Sequence, residues 1–151
     1  MTDQAPPYED IVIPALLRWA RSTYGEAMHQ ALAAADCDDV PANGLYVIGG
    51  LALGAGNAPL GVLVKQLRVS KQAAGQLVDS LVLRGYLRRE TDAEDRRKLS
   101  VTLTERGWHA AAVQRAARER IDAELLTRVG ADTVTQMRKA LAALVEIGGV
   151  A

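Results

Sequence analysis

The sequence is poor in the residue types from which catalytic and metal-binding sites are most often built. It contains one cysteine and two histidines in 151 residues. His29 and His109 stand alone in helical stretches, without a second histidine or a pair of cysteines at the spacing of metal ligands. A G-x-S-x-G nucleophile motif is also missing. We therefore expect a protein that is not an enzyme and that requires neither a metal nor a cofactor.

Long apolar runs are absent as well. No stretch reaches the roughly 20 consecutive apolar residues that a membrane-spanning helix needs. The first ten residues, MTDQAPPYED, are polar and acidic, unlike the basic and then apolar start of a targeting segment. These features predict a cytoplasmic protein without a membrane partner, and the length is that of one domain with a sizeable core.

Net charge is zero, but the charges are unevenly distributed along the chain. The 18 basic and 18 acidic residues balance overall, whereas residues 61–98 contain nine Lys or Arg against five acids. That segment carries +4 and the remainder −4. A basic segment within a neutral chain indicates a local nucleic-acid-binding module, although the asymmetry is mild.

Two amphipathic helices are predicted within the basic segment. Apolar residues recur at i, i+3, i+4 and i+7 in both, first at Leu60, Leu63, Val64 and Leu67, then at Ala74, Leu77, Val78 and Leu81. Pro59 suits the first turn of the first helix, Ser70 is the expected N-cap of the second, and Gly85 its expected end. Two such helices joined by a short break are typical of a helix-turn-helix.

The second helix presents a polar face opposite its apolar stripe, formed by Lys71, Gln72, Gly75, Gln76 and Asp79. A glutamine can pair with an adenine edge, and Ser70 and Lys71 at the helix N-terminus suit phosphate. A mid-helix glycine costs roughly 1 kcal/mol relative to alanine, so Gly75 suggests close approach of another backbone. An ordinary solvated helix face is the alternative. The neighbouring elements favour a recognition helix.

A β-hairpin with a basic loop is predicted after this helix. Leu99, Val101 and Leu103 alternate with polar residues and are expected to pair with Tyr86 to Glu90. The eight-residue connection from Thr91 to Lys98 carries Arg96, Arg97 and Lys98, with Arg88 and Arg89 at its base. Such a loop can reach a DNA backbone or minor groove. A flexible charged hairpin is the alternative, since Glu90, Asp92, Glu94 and Asp95 dilute its positive charge.

These motifs resemble the winged-helix core of the multiple-antibiotic-resistance regulator (MarR) family. The matching residues are Ser70, Lys71, Leu77, Val78, Asp79, Leu81, Gly85, Arg89, Asp95, Arg97, Leu103, Thr104 and Gly107. The resemblance implies that Asp95 and Arg97 organise the wing tip and that Arg97 contacts the minor groove. It also implies a homodimer on operator DNA and a small aromatic or phenolic effector, for which Tyr24 and Tyr46 are candidate contacts.

The remaining chain fits a mostly α fold with a small β-wing. Helices are expected over 11–35, 41–53, 105–128 and from about 132 to 148, and the 41–53 helix, apolar nearly all round, should be central. We predict a single domain, 1–151, in which dimerisation helices at 9–36 and 105–148 flank a winged helix-turn-helix module at 41–104. The alternative function is a dimeric winged-helix protein-interaction module that docks through Val82, Leu83 and helix faces.

Two further features are expected to be structural. The glycines from Gly49 to Gly61 do not complete a phosphate-binding pattern, because Pro59 and Val62 replace residues that such patterns require, so close helix packing is predicted. Cys37 has no intrachain partner, and its three aspartate neighbours would disfavour the thiolate that oxidant sensing requires. An intermolecular disulfide at Cys37 stays open.

Overall fold

The computed structural model describes residues 7–91, 94–95 and 97–149. A 3-10 turn at Tyr8–Asp10 precedes the helices and strands of the described chain. They are α1 (Ile13–Ala34), α2 (Gly44–Ala52), β1 (Asn57–Pro59), α3 (Leu60–Leu67), α4 (Lys71–Leu83), β2 (Leu87–Thr91), β3 (Leu99–Leu103), α5 (Glu105–Val129) and α6 (Ala131–Ile147). The fold class predicted from sequence, mostly α with a small β-wing, is confirmed.

The strands form one antiparallel sheet in the order β1-β3-β2. In the predicted hairpin, Leu87 lies opposite Leu103 and Thr91 opposite Leu99. Thr91 therefore belongs to β2, and the connection is residues 92–98. Strand β1 was not predicted, because three residues are too few to show an alternating pattern and its partner, β3, lies more than 40 residues away in sequence.

The hydrophobic core is built around α2, as its apolar sequence predicts. Five of its nine residues are buried: Gly44, Leu45, Val47, Ile48 and Leu51. The helix begins at Gly44 rather than Pro41, because residues 41–43 form a turn in which the Gly44 N–H donates to the Pro41 carbonyl at 2.7 Å. The predicted start was thus three residues early.

Two glycines near α2 permit the close packing that the sequence suggested. A Cβ atom at Gly49 would lie 2.7 Å from Nε2 of Gln114, a buried side chain that donates to the Leu45 carbonyl at 2.8 Å. Gly56 has a positive φ of 83° and packs against the Trp108 ring. A side chain at either position would force its neighbour to move. Gly50 and Gly61, by contrast, have no such neighbour within 4 Å.

The helix ends follow the local signals in the sequence. The Ser70 hydroxyl accepts a hydrogen bond from the Ala73 N–H at 3.1 Å, which makes it the N-cap of α4. Gly85, with φ of 81°, follows the end of α4, and the Thr104 hydroxyl accepts from the Gly107 N–H at 3.1 Å. Pro59 differs from its prediction: it is the N-cap residue of α3, not part of its first turn, because it also ends β1.

The chain divides into two compact units, Met1–Ala117 and Arg118–Ala151, with the boundary inside α5. The second unit consists of the rest of α5 and α6, and α6 has no buried residue. Its large apolar side chains are exposed: Met137, Leu141, Leu144, Val145 and Ile147. Within the described ranges, no helix is both long and apolar enough to cross a membrane.

Candidate nucleic-acid interface

Helix α4 has one face in the core and one in solvent. Ala74, Val78 and Leu81 are buried, and Leu77 is half-buried against the same core. On the opposite side the side chains of Lys71, Gln72, Gln76 and Asp79 are exposed. The two faces are those expected from the sequence. The apolar face fixes the helix, and the polar face is available to a partner.

Gly75 lies on this polar face in the middle of α4. Apart from its chain neighbours and the backbone of its own helix, a Cβ atom at Gly75 would meet no protein atom within 4 Å, so packing inside the chain does not require a glycine here. Mid-helix glycine nevertheless costs roughly 1 kcal/mol relative to alanine. The packing of the chain itself therefore does not account for this glycine.

The described part of the wing tip is organised by Asp95. Its carboxylate accepts from the Arg97 N–H at 3.1 Å, and its carbonyl accepts from the Lys98 N–H at 3.0 Å. Both basic residues are exposed. Asp95 thus contacts Arg97 through the Arg97 backbone N–H, and the Arg97 side chain is exposed. Arg96, also expected at the interface, lies outside the described residues.

The arginines at the base of the hairpin are paired with acids of the same chain. Arg89 forms an ion pair with Asp79 on α4. Arg88 pairs with Glu90 at 2.7 Å, and this contact lowers the pKa of Glu90 below its ordinary value. The sequence placed Arg89 at the base of a loop that can reach a DNA backbone. It did not identify Asp79 as a partner, because Asp79 is brought beside Arg89 only when β2 packs against α4.

A polar cluster behind the interface was missed by the sequence analysis. The Asp39 carboxylate accepts hydrogen bonds from Tyr86 and from Arg106, whose Nη2 lies 3.0 Å from Oδ1. These contacts, that of Tyr86 first, lower the pKa of Asp39. Burial, and then the bond to Asp39, raises the pKa of Tyr86 above its ordinary value. Asp39, Tyr86 and Arg106 are far apart in sequence, and no local pattern links them.

A cavity of about 660 Å³ lies between α1, the turn before α2, and helices α3 and α4. Its lining residues are Arg21, Pro41, Ala42, Asn43, Tyr46, Gln66, Leu67, Val69, Ala73 and Leu77. Arg21 Nε donates to the Tyr46 hydroxyl at 3.0 Å, and its guanidinium carbon lies 4.4 Å from the centre of that ring. Of the two candidate ligand contacts, Tyr46 lines the cavity. Both Tyr24 and Tyr46 are half-buried and pack against the core.

The cysteine and histidines do not form a site with one another. Cys37 is buried, with its thiol 3.5 Å from the Ala35 carbonyl. His29 Nε2 lies 3.3 Å from the Ala42 carbonyl, and His109 is exposed at the surface. No group of three or more His, Cys, Asp or Glu residues in the described chain is arranged to hold a metal ion.

The sequence matches one family model, that of the MarR family, over residues 39–98. This range runs from the polar cluster through α4 to the end of the wing loop. No curated protein matches the chain significantly.

Many solved structures share the fold. A mutant of MarR from E. coli, in complex with operator DNA, is 22% identical with a TM-score of 0.72, over 91% of this chain and 96% of that one. RV1404 from Mycobacterium tuberculosis is 23% identical with a TM-score of 0.70, over 96% and 97%. A MarR transcriptional regulator from Methanosarcina mazei Go1 is 20% identical with a TM-score of 0.71, over 90% and 92%. The similarity extends beyond the winged module to nearly the whole length of each chain.

Proposed function

We propose that this MarR-family winged-helix protein is a cytoplasmic transcriptional regulator that reads an inverted-repeat operator as a homodimer. The observation that carries the proposal is the exposed polar face of α4, with a glycine that the chain's own packing does not require, beside a hairpin whose tip exposes Arg97 and Lys98. A helix fixed by its apolar face and a basic wing are the two parts with which winged helices hold DNA.

The roles of the residues follow from their chemistry. Gln72 and Gln76 lie one turn apart on the exposed face and would read base edges in the major groove. Ser70, whose hydroxyl proton is still available, and Lys71 would contact phosphate at the N-terminus of α4, and Lys98 would do so from the wing. Gly75 would allow close approach of the helix. Arg97 and Arg96 would enter the minor groove. Arg89 could contact the DNA backbone only if its ion pair with Asp79 were broken.

The dimer is inferred from apolar surface that the single chain does not cover. Val12, Ile13, Leu17 and Trp19 are exposed in and before α1, and α6 exposes a set of large apolar side chains without burying any residue. Exposure on this scale marks an interaction surface. We therefore assign residues 9–36 and 105–148 to dimerisation and residues 41–104 to DNA binding. A two-fold axis would place two recognition helices on half-sites about 10 base pairs apart.

We further infer that the regulator is a repressor that responds to a small aromatic or phenolic effector. The cavity volume is in the usual range for ligand pockets, and its wall combines apolar residues with the Tyr46 hydroxyl and the Arg21 guanidinium. A phenol or an aromatic carboxylate would suit these groups. Because Ala73 and Leu77 of α4 form part of the wall, an occupant would press on the recognition helix and release DNA.

The first test is selection of random duplexes by the purified protein at near-physiological salt, followed by sequencing of the bound pool. Enrichment of an inverted repeat with half-sites about one helical turn apart would support both the dimer and the readout. Enrichment of no sequence at either physiological or low salt would contradict the proposed function.

Two substitutions separate base reading from backbone contact. Arg97→Ala should weaken binding to every sequence and flatten the dependence of affinity on salt, because one counterion-releasing contact is lost. Gln76→Ala should mainly relax the preference at one base position. The matched control is Arg120→Ala, an exposed arginine on α5 outside the DNA-binding residues 41–104, used after sedimentation shows that this variant still forms the dimer. Unchanged affinity and salt slope for Arg97→Ala would reject the assigned role of the wing.

The effector assignment is tested with a panel of hydroxybenzoates in a competition assay on operator DNA. Release of DNA by members of the panel, lost in Arg21→Ala but kept in Tyr24→Phe, would support a ligand in the cavity. Equal release from Arg21→Ala would place the ligand elsewhere.

One observation favours a second candidate, a dimeric winged-helix module that binds another protein. Leu83, at the end of α4, is 87% exposed, whereas its neighbour Val82 packs against the core. An exposed leucine is a possible anchor for a protein partner. DNA binding that is absent at all salt concentrations, with a stable heteromeric complex abolished by Leu83→Ser, would select this function.

A further inference from the structure

The Asp39 cluster joins three parts of the chain that are distant in sequence. Asp39 lies in the connector between α1 and α2, Tyr86 follows α4, and Arg106 lies in the first turn of α5. Arg106 Nη2 also lies 3.3 Å from the Asp36 carbonyl, and its guanidinium carbon is 4.2 Å from the centre of the Tyr86 ring. The cluster is therefore a junction between the end of the recognition helix and both neighbouring segments.

The contacts hold the end of α4 from two directions. Arg84, the C-cap residue, donates to the Asp39 carbonyl, and its own carbonyl accepts from Arg106. Two residues later the Tyr86 hydroxyl donates to the Asp39 carboxylate. The Thr104 hydroxyl donates to the Gly85 carbonyl at 2.5 Å. Because the carbonyls of Arg84 and Gly85, the two residues that follow α4, both accept hydrogen bonds from α5 and the residue before it, α4 cannot rotate or tilt at this end without breaking several hydrogen bonds.

The distance along α4 from this end to the base-reading residues is long, so a small tilt of the helix would displace those residues along the DNA. A helix of 13 residues is about 20 Å long. A tilt of about 10° at its C-terminal end would move its N-terminal end by about 3 Å, which is close to the rise of one base-pair step. A small loss of orientation at the junction is thus equivalent to a shift of one base pair at Gln72.

We propose that Asp39 is a positioning residue that fixes the orientation of α4 and so sets the half-site spacing that the dimer accepts. The inference rests on the proposed function, since it presupposes a dimer that reads two half-sites. Asp39 does not touch DNA in this scheme. Its carboxylate acts through Tyr86 and Arg106, and loss of the carboxylate changes the tolerance for spacing, whereas the bases preferred within each half-site stay the same.

The test uses the full-length protein and duplexes that carry two copies of its selected half-site. The half-sites are placed at the preferred separation of about 10 base pairs, and at one base pair less and one more. Asp39→Asn removes the charge that pairs with Arg106 but keeps the side-chain size and the backbone carbonyl that Arg84 uses. Asp38→Asn, an exposed aspartate in the same connector, makes the same change of charge and is the matched control.

The wild type and Asp38→Asn should bind the preferred spacing about tenfold or more tightly than its neighbours, whereas Asp39→Asn should lower this ratio to about threefold or less. Base preference within each half-site should be unchanged. Equal weakening at all three spacings, or no change, would overturn the inference. If Asp39→Asn does not fold, Tyr86→Phe, which removes only the hydroxyl, replaces it and should shift the ratio in the same direction.

The outcomes separate this inference from the proposed function. If the wild-type protein selects no duplex, the proposed function fails and the role of Asp39 fails with it. If the wild type selects an inverted repeat and neither Asp39→Asn nor Tyr86→Phe changes the spacing ratio, only the positioning role is wrong. Hydrogen exchange of amides in α4 provides an independent readout, because a loosened junction should raise exchange at its C-terminal end first.

Discussion

Helices α2 and α6 show how differently the chain treats apolar surface. Helix α2 has nine residues, of which five are buried, and Ile48 has no exposed surface. Helix α6 has 17 residues and buries none of them. Even its apolar side chains are exposed, Leu144 to 43% and Ile147 to 84%. Both helices carry large apolar side chains, but α2 has no charged residue, whereas α6 combines its apolar side chains with charged and polar ones.

This difference shows that the distribution of apolar residues around a helix predicts whether its apolar face is covered by the same chain or by a partner. A helix that is apolar nearly all round can only be stable when other elements of its own chain surround it, and α2 is the centre of the core. Helix α6 has polar residues on the rest of its surface, so a single partner on one side suffices. We propose that this partner is a second copy of the chain.

The largest expected effect is at the centre of α2. Ile48→Ala should lower the free energy of unfolding by about 2–5 kcal/mol, because it removes buried methyl groups and leaves a cavity in a packed core. Urea unfolding measured at two protein concentrations tenfold apart is the appropriate assay. The loss should be the same at both, since the contacts removed lie within one chain. If the loss in free energy of unfolding depended on protein concentration, Ile48 would contribute to the association of chains, and α2 would not differ from α6 in this respect.

The next largest effect is expected on α6. Leu144→Asp should weaken the dimer by about 100-fold, because it exchanges an apolar contact for a charge at the interface. Sedimentation equilibrium measures the dissociation constant. Gln136→Asp, which introduces the same charge at an exposed polar position of α6, is the control and should have little effect. If Leu144→Asp sedimented like the wild type, the dimer surface would have to lie elsewhere.

The third prediction compares the effect of a glycine-to-alanine change at two helix positions, one outside the proposed DNA interface and one inside it. Gly50 in α2 and Gly75 in α4 are both helical, and neither would bring a Cβ within 4 Å of another atom. Each change to alanine should stabilise the fold by about 0.5–1 kcal/mol. Gly75→Ala should also weaken operator binding, whereas Gly50→Ala should not. Thermal unfolding and duplex titration of both variants separate the two effects, and tight operator binding by Gly75→Ala would remove the argument for close approach.

The smallest expected effect is that of Asp39 on the pH dependence of the free energy of unfolding. Tyr86 and Arg106 lower the pKa of Asp39 in the folded protein, so its carboxylate contributes stability above the unfolded pKa of about 3.9. That contribution is lost as pH falls through the lower, folded pKa. Urea unfolding at pH 6 and pH 3 should therefore show a smaller acid-induced loss for Asp39→Asn than for the wild type. Equal losses would show that the Asp39 contacts add little stability.

Local signals explain why much of the fold and of the candidate interface was predictable. The N-cap at Ser70, the turn at Gly85 and the β2–β3 pairing each depend on residues close together in sequence, and all are present in the structure. The exposed face of α4 followed from helical periodicity alone. The strand β1, the pairing of Arg89 with Asp79 and the Asp39 junction did not, because each depends on how separate elements pack against one another, which neither a turn signal nor a periodic pattern records.

The sequence by itself determined the helices, the hairpin, the buried position of α2 and the polar face of α4, since periodicity and capping act over one or two turns. Only the tertiary structure decided which charged groups are available to a partner. Arg88 and Arg89 are neutralised by Glu90 and Asp79, whereas the wing tip keeps exposed basic groups. Arg88 and Glu90 are two residues apart on one strand, but the pairing of Arg89 with Asp79 depends on how β2 packs on α4, which no local pattern encodes.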